Sequence, residues 1–193
     1  MNILHLDSGI LGDQSVSRGL TAAIVARLTA EHPGSSVTYH DLVSEPLDHL
    51  AATDLGAAPA GRDVLAEFLA ADVVVIGAPM YNFTVPTQLK AWLDRILVAG
   101  KTFRYGAAGV EGLAGGRKVV IASARGGVYG EGSPAAIMDH QEPLLVNTLG
   151  FIGVTDVEIV RAEGLALGPD ARTAAIDAAH ETIKTHEGLA RAA

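Results

Sequence analysis

Asp72-Val73-Val74-Val75-Ile76-Gly77-Ala78-Pro79-Met80-Tyr81-Asn82-Phe83-Thr84-Val85-Pro86-Thr87-Gln88-Leu89-Lys90 decides the fold. Its opening is continuously apolar and β-branched, which is how a parallel strand covered by helices on both faces reads. The downstream half leads into Leu89, Trp92, Leu93, Ile96 and Leu97 at helical spacing, with Pro86 where a first helical turn tolerates a missing N–H. Strand, polar and aromatic turn, and helix therefore meet between Met80 and Val85. In a doubly wound sheet the crevice beyond such strand ends holds the ligand.

The same alternation extends outward in both directions. Leu4 to Asp7 ends a first strand, and a helix with Leu20, Ile24 and Leu28 on one face runs to Pro33-Gly34. Val37 to Asp41 reads as a second strand, followed by a surface excursion over Glu45 to Arg62 with at most short helices, then a helix from about Asp63 to Ala71. Gly100 is placed to terminate the helix after the turn in a left-handed cap. Five glycines between Arg104 and Gly116 predict a flexible segment. Val119 to Ala122 is the fourth strand, Ser133-Pro134 opens a helix reaching Leu149 with Gly150 after it, Val157 to Val160 is the fifth strand, and Pro169 opens the last helix. Right-handed crossovers leave a flavodoxin-like α/β fold: one doubly wound parallel sheet of five strands, order 2-1-3-4-5, in a single domain over 1–193.

Composition narrows the chemistry. With no cysteine among 193 residues there is no disulfide, thiolate nucleophile or sulfur-ligated metal. A net charge of −8, with no basic cluster beyond Arg117-Lys118, lacks the footprint of a nucleic-acid binder. No apolar run approaches the ~20 residues of a membrane span, and the first residues read as a core strand, so a cytoplasmic protein with neither membrane nor nucleic acid as partner is expected. His5, His32, His40, His49, His180 and His186 show no metal-ligand spacing, and no metal site is read. Ser8 lacks the Gly-x-Ser-x-Gly turn of a hydrolase nucleophile.

Three unusual loops leave the carboxyl ends of the three central strands. The first, Asp7 to Arg18, combines the hydroxyls of Ser8, Ser15 and Ser17 with a helix N-terminus, which suits a phosphate; Ser15 simply capping the helix is the alternative. Neither a lysine-bearing phosphate loop nor a Gly-x-Gly-x-x-Gly fingerprint is present, which points to a mononucleotide. A flavin mononucleotide is the one whose aromatic ring needs the other two loops. Tyr81 and Phe83 can line such a ring and the amides around Asn82 can address its polar edge, unless these aromatics only fill the core. The third loop, Ser123 to Gly130, has glycines that admit a close ligand or serve a tight turn.

At Ser8 with Ser15-Val16-Ser17, Ala78 to Phe83, Gly100-Lys101-Thr102-Phe103-Arg104-Tyr105, and Arg125-Gly126-Gly127 with Leu149 to Gly153, the chain resembles the FMN-dependent NADH-azoreductases, a branch of the flavodoxin-like quinone reductases. The resemblance implies a homodimer with tightly bound FMN at its interface, passing two electrons from NADH or NADPH to a quinone or azo acceptor by a ping-pong mechanism. It implies that Ser8, Ser15, Val16 and Ser17 hold the phosphate, that Met80, Tyr81, Asn82 and Phe83 hold the isoalloxazine, and that Ala124, Arg125, Gly126 and Gly127 face its pyrimidine side. Phe103 would come from the partner subunit to wall the substrate pocket. This chain departs from the family at Ala124, where a serine is usual. No side chain is required as a catalytic base, because the flavin N5 carries the hydride; Tyr129, in the substrate pocket, and His140, expected on a helix, are the polar residues nearest an acceptor. A flavodoxin-like electron carrier without its own NADH turnover is the rival reading.

Overall fold

Alternation along the central strands builds two cores, one on each side of a sheet. The computed structural model describes residues 1–54, 63–107, 109–185 and 188. In chain order its elements are β1 (Asn2–Asp7), α1 (Val16–Glu31), β2 (Ser36–Asp41), α2 (Val64–Ala70), β3 (Val73–Pro79), α3 (Thr87–Ile96), β4 (Phe103–Gly106), β5 (Gly109–Gly112), β6 (Lys118–Ala124), α4 (Glu142–Phe151), β7 (Asp156–Ala162) and α5 (Pro169–Thr185). Leu4, Leu6, Val74, Ile76, Val119 and Ile121 face α2, α3 and α4. Ile3, Val73, Val75, Val120, Ala122 and Val160 face α1 and α5. β3 is buried along its whole length, so its unbroken apolar sequence serves both layers.

The five-stranded sheet runs β2-β1-β3-β6-β7, all parallel. Counting only the strands of this sheet, that is the expected order, with β6 and β7 taking fourth and fifth place. Pairing of Asp7 with Gly77 and of Pro79 with Ala124 brings the ends of β1, β3 and β6 side by side. The loops beginning at Ser8, Met80 and Arg125 therefore leave one edge. Residues 45–54 carry only a short 3-10 turn at Ala52–Asp54. The remainder of the expected excursion, 55–62, and His186 lie outside the described residues.

Three expectations are corrected. The glycine-rich stretch, expected as a flexible segment outside the strands, contains a two-stranded antiparallel hairpin, β4 with β5. One of its glycines answers a close approach: a Cβ at Gly112 would collide with the main chain of Ile152 and Gly153. Gly153 itself ends α4 with φ +94, in a cap where Val154 N–H donates to Leu149 O (3.0 Å) and Gly153 N–H to Gly150 O (2.9 Å).

The second correction concerns that same helix. α4 begins at Glu142 rather than near Pro134 and runs through Gly150 to Phe151. Tertiary bonds override the Ser133-Pro134 signal: His140 N–H donates to Phe83 O (3.0 Å), and the Asp139 carboxylate binds Arg125 and accepts from the Gln141 and Glu142 amides (3.0 and 3.2 Å). His140 consequently precedes the helix. Thirdly, Gly100 has φ +77 but does not cap α3, which ends at Ile96 with Leu97 after it. The buried Thr102 hydroxyl is what closes that end, donating to Ile96 O (2.6 Å) and accepting from Val98 N–H (3.0 Å).

Thr102→Val keeps the shape and removes both bonds, leaving a buried carbonyl and amide unpaired. It is expected to lower the unfolding free energy by about 1–3 kcal/mol, measured by urea denaturation, whereas Thr102→Ser retains most of the stability.

Candidate functional site

The first loop offers hydroxyls that the protein itself leaves largely unused. Ser15 occupies the N-cap of α1 in an extended conformation, yet its side chain makes no capping hydrogen bond. Its Oγ instead lies 3.1 Å from that of Ser17, and both residues are buried. Helix geometry leaves the N–H groups of Val16, Ser17 and Arg18 without intrahelical partners, at the positive end of the dipole. Ser8 is placed differently: its hydroxyl is fully buried and donates to Gly77 O at 2.6 Å, tying the loop to β3.

A guanidinium holds this loop from beneath. Arg18 donates to Gly9 O through Nε (3.0 Å) and a terminal nitrogen (2.9 Å), and pairs with Asp41 at 2.6 Å. It also reaches the Tyr39 hydroxyl, which donates to Asp7 (3.2 Å), whose other oxygen accepts from Thr21 (2.8 Å). The bond to Asp41 holds Arg18 more firmly protonated, and burial followed by the charge of Asp7 pushes the Tyr39 phenol up.

The second loop turns within four residues. Tyr81 N–H donates to Thr84 O (2.9 Å) and Thr84 N–H to Tyr81 O (3.1 Å), with Asn82 at φ 47 and Phe83 at φ 71 between them. Positive φ at both central positions is what a type I′ turn requires, and Phe is an unfavourable residue there. Met80 N–H donates to Ala124 O (2.8 Å) and Ile10 N–H to the Tyr81 hydroxyl (3.0 Å), so all three loops are joined through this one.

The third loop is anchored by a buried cation. Arg125 is fully buried, and its guanidinium meets Glu163 (2.9 Å), Asp139 (2.8 Å) and Glu142 (2.6 Å), while its Nε donates to Gln141 (3.0 Å) and Ser123 (3.1 Å). Arg161 completes the group by a two-point pair with Glu142 (2.9 and 2.6 Å), which holds Arg161 more firmly protonated. The Arg125 side chain is thus committed inward. A cavity of about 260 Å³ opens between the second and third loops, lined by Met80, Asn82, Phe83, Gly126 and Tyr129. Phe83 and Tyr129 meet edge to face at its wall, ring centroids 6.1 Å apart.

The remaining residues singled out from the sequence lie elsewhere. His140 is exposed and touches the site through its main chain, and Phe103 packs on Tyr105 and Phe151. A hollow of about 450 Å³ lies between the later turns of α1 and α5, away from the three loops. Among the described residues no cluster of His, Asp or Glu is placed to hold a metal ion, and no helix is long and apolar enough to cross a membrane.

A family model of the flavodoxin-like fold matches residues 1–186. The chain belongs to that family. It is 60% identical over 197 aligned positions to a protein of Sinorhizobium fredii named FMN-dependent NADH:quinone oxidoreductase, with 95% of each chain covered. A protein of the same name from Rhizobium meliloti is 56% identical at the same coverage. Among solved structures, an azoreductase from Bacillus anthracis superposes with a TM-score of 0.86 at 30% identity, covering 98% of this chain and 99% of that one. Azoreductase AzrA gives 0.87 at 31%, with the same coverage.

In this flavodoxin-like chain, sequence reasoning passes over Arg18, Asp41, Tyr39 and Glu163. Arg18 carries a usable signal: a cation in the first turn of a helix opposes the dipole and asks for an anion nearby. Its partner lies one strand away, at the end of β2.

Burial raises the pKa of Asp41, but bonds from Arg18 and the Val43 amide outweigh it, and the carboxyl sits below its ordinary value. A depressed folded-state pKa contributes stability that is present above the unfolded value and lost as pH falls through the folded one. Wild type should therefore be more stable than Asp41→Asn at pH 7, with the advantage vanishing as pH drops below the ordinary carboxylate range, read from urea midpoints along a pH series.

Proposed function

We propose that the chain is an FMN-dependent oxidoreductase that takes electrons from NADH, or NADPH, and passes two of them to a quinone or azo acceptor. The observation that carries this is the cavity walled by Met80, Asn82, Phe83, Gly126 and Tyr129 beside serine hydroxyls that no capping bond consumes. Those features fit a flavin mononucleotide. The buried Ser15 and Ser17 hydroxyls, with the free first-turn amides of α1, match a phosphate. The strained turn and the glycine-bearing loop match a flat ring with polar edges. When bound, FMN supplies the capacity to accept hydride from a nicotinamide and to return two electrons to an acceptor.

The protein's own contribution is binding, orientation and shielding. Ser15, Val16 and Ser17 hold the phosphate, while Ser8 keeps the loop against β3. Met80, Tyr81, Asn82 and Phe83 carry the ring, and the main chain of Ala124 to Gly127 addresses its pyrimidine side. Ala124 serves through its backbone, whose carbonyl already accepts from Met80. The Arg125 guanidinium stays in its carboxylate cluster and places this loop rather than touching the ring. Tyr129 stands at the wall where an acceptor stacks. His140 supports the turn from its main chain, and no side chain is assigned as a general base.

A homodimer in the cytoplasm, built from one FMN-binding domain over 1–193, completes the reading. Exposed apolar side chains support the second copy. Phe103 itself packs on Phe151 against its own subunit's core, but Tyr105 and Val110 on the same hairpin, with Ile137 and Val146, are exposed. Ile137, at 83% exposure, is the most open of these. The names borne by relatives more than half identical to this chain favour an enzyme over an electron carrier.

Purified protein should be yellow and bleach anaerobically with NADH alone; a yellow sample that NADH leaves unchanged would indicate a carrier and overturn the enzyme. Ser17→Ala should weaken FMN affinity about tenfold, read by fluorescence titration, with a much smaller effect on unfolding of the FMN-free protein.

A further inference from the structure

The third loop is held in two different ways along its length. As far as Gly127 it is held main chain to main chain against the loop after β7: Arg125 N–H donates to Ala162 O (2.9 Å), and Leu165, Ala166 and Gly164 amides donate to the carbonyls of Arg125 (3.1 Å), Gly126 (2.9 Å) and Gly127 (2.9 Å). Beyond Gly127 those main-chain bonds stop. A side chain then takes over, because Tyr129 N–H donates to Glu163 Oε1 at 3.0 Å. The same oxygen receives the Arg125 guanidinium at 2.9 Å.

The clamp sets where the Tyr129 main chain, and so the root of its ring, stands. The ring's hydroxyl oxygen lies 2.9 Å from where a Cβ at Gly127 would be, so the ring lies directly over that glycine. Its other neighbour is Phe83, which it meets edge to face, and the two rings together close one edge of the cavity. Packing alone does not hold the pair in place, because Tyr129 is only half-buried and Phe83 is 39% exposed.

We propose that Glu163 is a positioning residue for acceptor selection: by fastening the Tyr129 main chain to the buried Arg125 guanidinium, it holds the Tyr129 ring against Phe83, and this closed aromatic edge of the cavity admits small planar quinones more readily than bulky azo compounds. This rests on the cavity being the oxidoreductase site. The charge of Glu163 gives the clamp its stiffness, since a charge-assisted bond is stronger than a neutral one. Replacing it leaves Arg125 paired with Asp139 and Glu142, so the buried cation is not orphaned.

The test compares Glu163→Gln and Glu163→Ala with wild type, all loaded with FMN. The ratio of kcat/KM for a small benzoquinone to that for a bulky azo dye is expected to fall about five-fold in Glu163→Ala, less in Glu163→Gln, mainly through KM. In a Tyr129→Ala background the Glu163 substitutions should shift the ratio no further, although they lower Tm in both backgrounds; a purely structural role would show in Tm and leave the ratio alone. Without cofactor, the Tyr129 amide should exchange hydrogen about tenfold faster in Glu163→Ala while the β6 amides do not change. An unaltered ratio in variants that hold FMN and bleach with NADH overturns the role of Glu163 alone, as does a shift that persists undiminished without the Tyr129 ring. Wild type that fails to bleach overturns the function and this role together.

Discussion

The placement of β3 between β1 and β6 is the constraint on which the site depends. Parallel pairing on both flanks requires a strand with apolar side chains to either side, which Val73 to Gly77 supplies against β1 and Val73 to Pro79 against β6. Because the three strands point the same way and are in register at their ends, three loops emerge together without further instruction. Met80 N–H, donating to Ala124 O, carries the pairing one residue past the strand and brings the second loop against the third.

Convergence alone does not give loops a fixed shape; two guanidiniums do. Arg18 grips the Gly9 carbonyl and is itself held by Asp41, while Arg125 gathers Asp139, Glu142 and Glu163. Burying a charge is costly unless its attraction and hydrogen bonds offset the lost hydration, and each guanidinium is met by several acceptors, at least one of them a carboxylate. Such clusters specify geometry more than they add stability. Arg125 shows why: its partners come from the approach to α4 and from the end of β7, and all of them must assemble before the loop between β6 and α4 has a definite path.

The fold is legible in the sequence because its signals are local. β-branched runs, helical stripes and Pro169 all report their own surroundings, and the loops of the site can be found because they adjoin recognisable strands. What escapes a sequence reading depends on partners far along the chain. Asp41 lies 23 positions from Arg18, and Glu163 lies 38 from Arg125. The start of α4 departs from its local signal for the same reason: Ser133-Pro134 is a sound opening for a helix and does lead into a 3-10 turn at Ala136–Met138, but His140 bonded to Phe83 and Asp139 bonded to Arg125 bend the chain before that turn can run on as α4. The glycines from 106 to 116 read as freedom when Gly112 is there for close approach to Gly153.

The turn at Asn82 and Phe83 joins these themes. Positive φ at two non-glycine residues costs of order 1–3 kcal/mol each and survives only where surrounding bonds over-determine it. Here Tyr81 and Thr84 exchange two main-chain bonds, the Tyr81 hydroxyl accepts from Ile10, and Phe83 O accepts from His140. Every one of those bonds but the first pair comes from another loop. The turn is therefore only as rigid as the loops around it, and its strain is borne by the same contacts that bring the serine-rich loop and the approach to α4 to the cavity. A glycine at either position would relieve the backbone, yet at residue 83 it would also remove the ring that faces Tyr129. Strain kept where it could so readily be relieved is best explained by what the side chain does, which in this cavity is to form one of its two aromatic walls.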